Sequence, residues 1–160
     1  MTKAHPGMSI GHVHLKVTDL ARSIAFYRDV MGFDLTQRYG DQAAFLSVGG
    51  YHHHIGLNTW FSKGATAAPK RNPGLFHVAF LYPDRVALAQ ALRSVLDAGV
   101  AIEGAADHGV SEAIYFSDPD GNGIEIYRDR PEADWPRDAQ GQLEMTNAPL
   151  DLESVLRELA

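Results

Sequence analysis

The sequence predicts an α+β fold built from two similar halves, and three observations predict it. One plan repeats at a fixed offset: 65 residues separate His12 from His77 and also Asp19 from Asp84. In each copy a run of alternating side chains leads into an apolar stripe of helical spacing, then into further short β-like runs. One face of each strand run is apolar, while the opposite face collects imidazoles, a phenol and a carboxylate.

The first copy opens with Gly11-His-Val-His-Leu-Lys-Val-Thr-Asp19, where Val13, Leu15 and Val17 oppose His12, His14 and Lys16. Asp19 suits an N-cap, since its carboxylate can accept from the free amides of a first turn. Leu20, Ile24, Tyr27 and Met31 give the helix its apolar stripe, and Gly32 can take the left-handed conformation that ends it. Two strands follow, Ala43–Val48 and Tyr51–Trp60, parted by Gly49-Gly50. In the second of these, Ile55 and Leu57 oppose His52, His54, Gly56 and Asn58. The stretch Ser62–Pro73, rich in Lys, Ala and Pro, reads as a connector.

The second copy opens with Phe76-His-Val-Ala-Phe-Leu-Tyr-Pro-Asp84, with Val78 and Phe80 opposing His77, Ala79 and Leu81. Asp84 is the matching cap, Leu88, Leu92, Val95 and Leu96 the matching stripe, and Gly99 the matching stop. Strands Ala113–Ser117 and Gly123–Tyr127 flank the turn Asp118-Pro-Asp-Gly-Asn. Ile114 and Phe116 oppose Tyr115 and Ser117, and Ile124 and Ile126 oppose Gly123, Glu125 and Tyr127. Asp129–Pro149, with prolines at 131, 136 and 149, reads as an extended arm over the body. In Asp151–Ala160 the residues Leu152, Val155, Leu156 and Leu159 share one face of a short helix, which packs on the body or on a sister subunit.

With 160 residues and 45% hydrophobic content the chain can bury a core, and it reads as one domain spanning 1–160. Within it lie a first half at 8–62, a second at 73–128 and a tail at 129–160. The absence of cysteine excludes disulfides, thiolate metal sites and cysteine nucleophiles. A net charge of −6 disfavours nucleic acid and anionic membranes as partners. No apolar run approaches the roughly 20 residues of a membrane helix. The start Met-Thr-Lys-Ala-His-Pro-Gly also lacks a signal peptide's apolar core, so a cytoplasmic protein is expected.

Eight histidines remain to be explained. A solvated sheet face is normally rich in Lys, Glu, Thr and Ser, whereas this one gathers His12, His14, His54, His77, Tyr115 and Glu125. Were the two halves to turn these faces together, they would line a cavity with metal-ligating side chains.

In order and spacing, a set of motifs resembles the vicinal oxygen chelate superfamily. They are Gly11-His12-Val13, Asp19-Leu20 with Ser23, Phe26-Tyr27, Gly32-Phe33, Phe76-His77-Val78 and Asp118-Pro-Asp-Gly-Asn-Gly-Ile-Glu125. That superfamily includes glyoxalase I, bleomycin-type resistance proteins and extradiol ring-cleaving dioxygenases. The resemblance implies two βαβββ modules forming a cup-shaped mixed sheet around a metal. Carried over by position, it implies His12, His77 and Glu125 as ligands, the two-His-one-carboxylate set of non-haem Fe(II), with Mn(II) as the other candidate.

Glyoxalase I adds a fourth, acidic ligand from the last strand of the first module, yet Tyr51 to Ser62 contains no Asp or Glu. Tyr51-His-His-His54, Asp107-His108-Gly109 and Tyr115, ten residues before Glu125, look instead like catechol 2,3-dioxygenase segments. By that resemblance His54 is the acid–base residue, Tyr115 hydrogen-bonds a substrate oxygen and His108 orders the site. His14 falls to the pocket wall, Asn58 and Trp60 to the substrate pocket, with a core position as the other reading of Trp60. His5, His52 and His53 are left as surface or structural residues.

The implied activity is extradiol opening of a catechol-type diol with O2 as co-substrate, by a homodimer whose other partner is the small aromatic diol. The alternatives are a hydroquinone-type dioxygenase, a glyoxalase-like metal-dependent lyase or isomerase, and a drug-binding resistance protein without chemistry.

Overall fold

The two aspartates one repeat apart both cap helices. Asp19 Oδ1 accepts from the Arg22 amide at 3.0 Å, and Asp84 Oδ1 from the Ala87 amide at 2.8 Å. In the computed structural model, which describes residues 3–160, these caps open the helices of two units, Met1–Thr66 and Ala67–Ala160. Each unit contains the strand–helix–three-strand order of a βαβββ module.

The first unit runs β1 (Val13–Lys16), α1 (Leu20–Ala25) with a wider π-type turn at Phe26–Val30, β2 (Asp34–Tyr39), β3 (Ala43–Ser47) and β4 (Ile55–Asn58). Its sheet has the order β1-β4-β3-β2, with β1 and β4 parallel and the other pairs antiparallel. Leu20, Ile24, Tyr27 and Met31 are all buried, as α1 packs on β3 and β4. Gly32 closes the helix at φ 79°. Only one face of β2 carries an apolar residue, Leu35, and the strand is bulged between Leu35 and Gln37. At the bulge the Thr36 hydroxyl reaches the carbonyls of Phe45 (3.1 Å) and His52 (2.9 Å), which ties down the histidine-rich loop.

The second unit runs β5 (Val78–Tyr82), α2 (Arg85–Asp97), β6 (Gly104–Asp107), β7 (Ser111–Ser117), β8 (Gly123–Asp129), β9 (Ala148–Pro149) and α3 (Leu152–Leu156). The sheet order is β5-β8-β7-β6-β9, again with the first strand parallel to the last of its module. Leu88, Leu92 and Val95 are buried beneath α2, each stabilising the fold by roughly 2 kcal/mol. Leu96, expected in the same stripe, is only half-buried. Val155 of α3 is fully buried, and α3 packs on α2, so the tail stripe is used largely within its own unit. Among the described residues no helix is long and apolar enough to cross a membrane.

One strand is shorter than its sequence pattern. The run Tyr51–Trp60 is a strand only over Ile55–Asn58, where all four residues are buried, and Tyr51–His54 form a loop. Period-two alternation therefore does not govern the three consecutive histidines.

Candidate active site

The register of the second sheet assembles one cluster. Ala79 of β5 and Tyr115 of β7 both lie opposite Glu125 of β8. His77 precedes Ala79 by two, so its side chain leaves the sheet on the face of Glu125 and Tyr115. His77 Nε2 stands 2.9 Å from Glu125 Oε2, while its Nδ1 is buried without a partner. The polar contact of this imidazole is thus directed at the carboxylate. The ring is steadied by Phe76 and Tyr115, whose centroids lie at 5.3 and 5.8 Å.

Gly123 makes this approach possible. A Cβ there would collide with the Phe76 carbonyl oxygen and come within 3.1 Å of His77 Cβ. Gly123→Ala must therefore push the start of β5 away. The expected cost is about 1–3 kcal/mol, seen in thermal unfolding as a lower Tm. An unchanged Tm would show that the two strands have room to separate.

Tyr115 is half-buried. Burial first, and then the charge and hydrogen bond of Glu125, raise its pKa, so the phenol keeps its proton at neutral pH. Its hydroxyl lies 2.7 Å from His108 Nε2. His108 Nδ1 lies 2.9 Å from the Thr146 carbonyl oxygen in the arm.

In the first unit His12, like His77, immediately precedes the opening strand of its module. His12 is exposed, with His53 at a ring distance of 4.5 Å. His53, assigned from the sequence to the surface or to structure, also meets Phe45 at 5.1 Å and so belongs to this cluster. Its place in a loop rather than a strand is why parity missed it; three adjacent histidines beside Gly49-Gly50 were the available signal. Burial first, then the neighbouring imidazoles led by His12, lower its pKa.

The register also identifies the first unit's equivalent of Glu125. His14 pairs with Gly56 as Ala79 pairs with Glu125. A Cβ at residue 56 would stand 2.8 Å from the exposed His14 ring, so a side chain there would require that ring to move. A carboxylate in that position is absent from the sequence. Burial first, and then the charge of His12, lower the pKa of His14 and favour its neutral form.

His54 is half-buried, and its Nδ1 lies 2.9 Å from the Ser47 hydroxyl and accepts from the Val48 amide at 3.4 Å, which orients the ring. Trp60 is 49% exposed, which removes the core reading, and its indole lies beside His14 at 5.7 Å. Asn58 is buried, and its Oδ1 accepts from the Trp60 amide at 3.2 Å, so it positions the tryptophan.

The chemistry of the donors fits a divalent metal. Neighbouring ligands around an octahedral ion with bonds of about 2.1 Å stand roughly 3 Å apart. The His77–Glu125 separation of 2.9 Å has this size. Among the described residues no three His, Asp or Glu side chains are gathered as a ready metal-ligating group, so the structure brings together two of the three expected ligands.

Comparison with known proteins places the chain in a family. The model of the Glyoxalase/Bleomycin resistance protein/Dioxygenase superfamily matches residues 9–126. The chain belongs to that superfamily. The chain is similar to a catechol-2,3-dioxygenase of Bacillus subtilis (strain 168), 42% identical over 99% of this chain and 54% of that protein. A biphenyl-2,3-diol 1,2-dioxygenase 3 of Rhodococcus globerulus is 31% identical over 75% of this chain and 63% of its own length. The chain thus spans between about half and two thirds of the length of these two relatives. The fold is shared with a solved glyoxylase/bleomycin resistance protein/dioxygenase domain from Frankia sp. EAN1pec. That structure has a TM-score of 0.65, 23% identity, and coverage of 77% of this chain and 98% of the other.

Proposed function

We propose that this chain is an extradiol-type dioxygenase that opens a catechol-type aromatic diol with O2. His12, His77 and Glu125 would hold Fe(II), or Mn(II) in its place. The observation that carries this reading is the His77–Glu125 pair flanked by Tyr115, itself hydrogen-bonded to His108. The similarity to the Bacillus catechol-2,3-dioxygenase over nearly the whole chain supports the reaction class and a small aromatic diol as substrate. Glycine at position 56, with no Asp or Glu from Tyr51 to Ser62, argues against the four-ligand arrangement of a glyoxalase-type isomerase.

When bound, the metal supplies a Lewis-acidic, redox-active centre that brings diol and oxygen together. The remaining work falls to side chains. Held at Nδ1 by the Ser47 hydroxyl and the Val48 amide, His54 is the acid–base residue that exchanges a proton with the diol. Tyr115, protonated at neutral pH, fixes a substrate oxygen by hydrogen bonding. His14 and Trp60 offer a ring-lined wall suited to an aromatic substrate.

The test is anaerobic loading with Fe(II), addition of catechol, then admission of air. A yellow ring-opened product with one O2 consumed per diol is the expected result; tight binding without oxygen uptake would make the chain a binder. His54→Ala is expected to retain its metal while turnover falls about 10²–10⁴-fold. Unchanged turnover in that variant would remove His54 from the proton transfers.

A further inference from the structure

A cleft lies between the arm and the second sheet, and none of its lining residues belongs to the cluster of His77, Tyr115 and Glu125. Its volume is about 370 Å³, which falls in the range of small-molecule sites. Asp107 of β6 and Arg130, just after β8, line it from the sheet; Asp134, Pro136, Thr146 and Ala148 line it from the arm.

The arginine is the unusual member. Its Nη2 donates to Asp107 Oδ2 at 2.6 Å and stands 3.5 Å from Glu112 Oε1. Among the described residues its Nε and Nη1 meet no acceptor. A guanidinium carries five N–H donors on three nitrogens, so most of this fork is unused. The backbone of Arg130 is fixed as well: its amide donates to the Val110 carbonyl at 2.7 Å, and its carbonyl accepts from Trp135 Nε1 at 2.9 Å. The donors are therefore held in place for a further oxygen acceptor.

Charge decides what that acceptor belongs to. Asp107 neutralises Arg130, and its two oxygens are engaged, Oδ1 by the Gly109 amide at 2.9 Å and Oδ2 by Arg130. Asp134, exposed on the arm, adds a second carboxylate to the lining. A simple anion on Arg130 would meet the repulsion of Asp134, and a simple cation on Asp134 would leave the arginine donors unmet. A molecule carrying both charges satisfies both. Thr146 gives its hydroxyl proton to the Asp107 carbonyl at 3.2 Å, which leaves its oxygen lone pairs for an ammonium. Pro136 and Ala148 add an apolar wall. We propose that this cleft binds a small zwitterion, a free α-amino acid with an uncharged side chain. Its carboxylate sits on the N–H groups of Arg130 left free by Asp107, its ammonium on Asp134 and Thr146, and its side chain against Pro136 and Ala148.

The test is a titration of the full chain without added metal, followed by ¹H–¹⁵N spectra. The chain has two tryptophans, so the indole N–H of Trp135, assigned with the help of Trp60→Phe, reports on the cleft through its bond to the Arg130 carbonyl. L-Leucine is expected to shift that signal saturably at millimolar concentration and to raise the Tm. L-Leucinamide, without the carboxylate, and N-acetyl-L-leucine, without the ammonium, should each bind at least about 10-fold more weakly. Asp134→Asn and Arg130→Lys, the latter keeping the charge beside Asp107 but losing the planar fork, should each weaken leucine by about the same factor. Should Arg130→Lys fail to fold, Asp134→Asn alone decides. The absence of a saturable shift with leucine overturns the proposal. So do equal affinities for the three probes, or a leucine affinity unchanged in either folded variant.

Discussion

Glu125→Gln is expected to leave the chain unable to retain Fe(II) and to lower catechol turnover by more than about 100-fold, beyond the 10–100-fold typical when only a partner of a ligand is removed. The substitution keeps the volume and one oxygen but removes the charge that a divalent ion requires from its single carboxylate. Glu125 sits 2.9 Å from His77 Nε2 on a strand whose register also fixes Tyr115, so no neighbouring acid can take its place without rebuilding the sheet. The check is metal content per chain after anaerobic loading and desalting, alongside the unfolding temperature. Loss of metal with a Tm near that of the parent is the expected pair of results. Full metal content would remove Glu125 from the ligand set, and with it the geometric support for the reaction.

Much of this arrangement was legible in the sequence because it is set locally. An aspartate cap needs only the next three residues, a buried stripe only helical spacing, and both copies of the plan met those conditions. Parity placed Tyr115 and Glu125 on one face because β7 and β8 are regular throughout. The same rule failed at His53, where the backbone leaves the strand, and β2 lacked a readable pattern because it is largely exposed and bulged. Contacts made over long sequence distances were not legible at all. Nothing near His108 announces that a carbonyl 38 residues away holds its ring. Glu112 gave a signal that was not used: it shares its strand face with Ile114 and Phe116, an odd place for a carboxylate unless cations meet it there.

Those cations make Glu112→Gln the largest stability change expected. Glu112 Oε2 accepts from Arg85 Nε at 3.0 Å and from the Arg128 guanidinium at 2.8 Å, and its side chain is 5% exposed. Arg85 reaches onward to the Ser154 carbonyl and hydroxyl and to Glu158, so this carboxylate also anchors the arginine that clamps the C-terminal helix. Removing one partner of a buried ion pair leaves the others desolvated and uncompensated, at about 3–5 kcal/mol. For a chain of this size that is a fall in Tm of roughly 6–20 °C. The pH dependence distinguishes charge from packing. Burial is the largest single influence on Glu112 and raises its pKa. The hydrogen bonds from Arg128 and Arg85, with their charges, outweigh it and hold the folded value below the ordinary 4.5. A carboxylate with a depressed folded pKa contributes its full stability above the unfolded value and loses it as pH falls through the folded one. The Tm gap between parent and Glu112→Gln should therefore be full at neutral pH and narrow progressively below about 4.5. A gap that stays constant under acid would mean that the network is held by shape and hydrogen bonding to a neutral group, and that its charges contribute nothing to seating the tail.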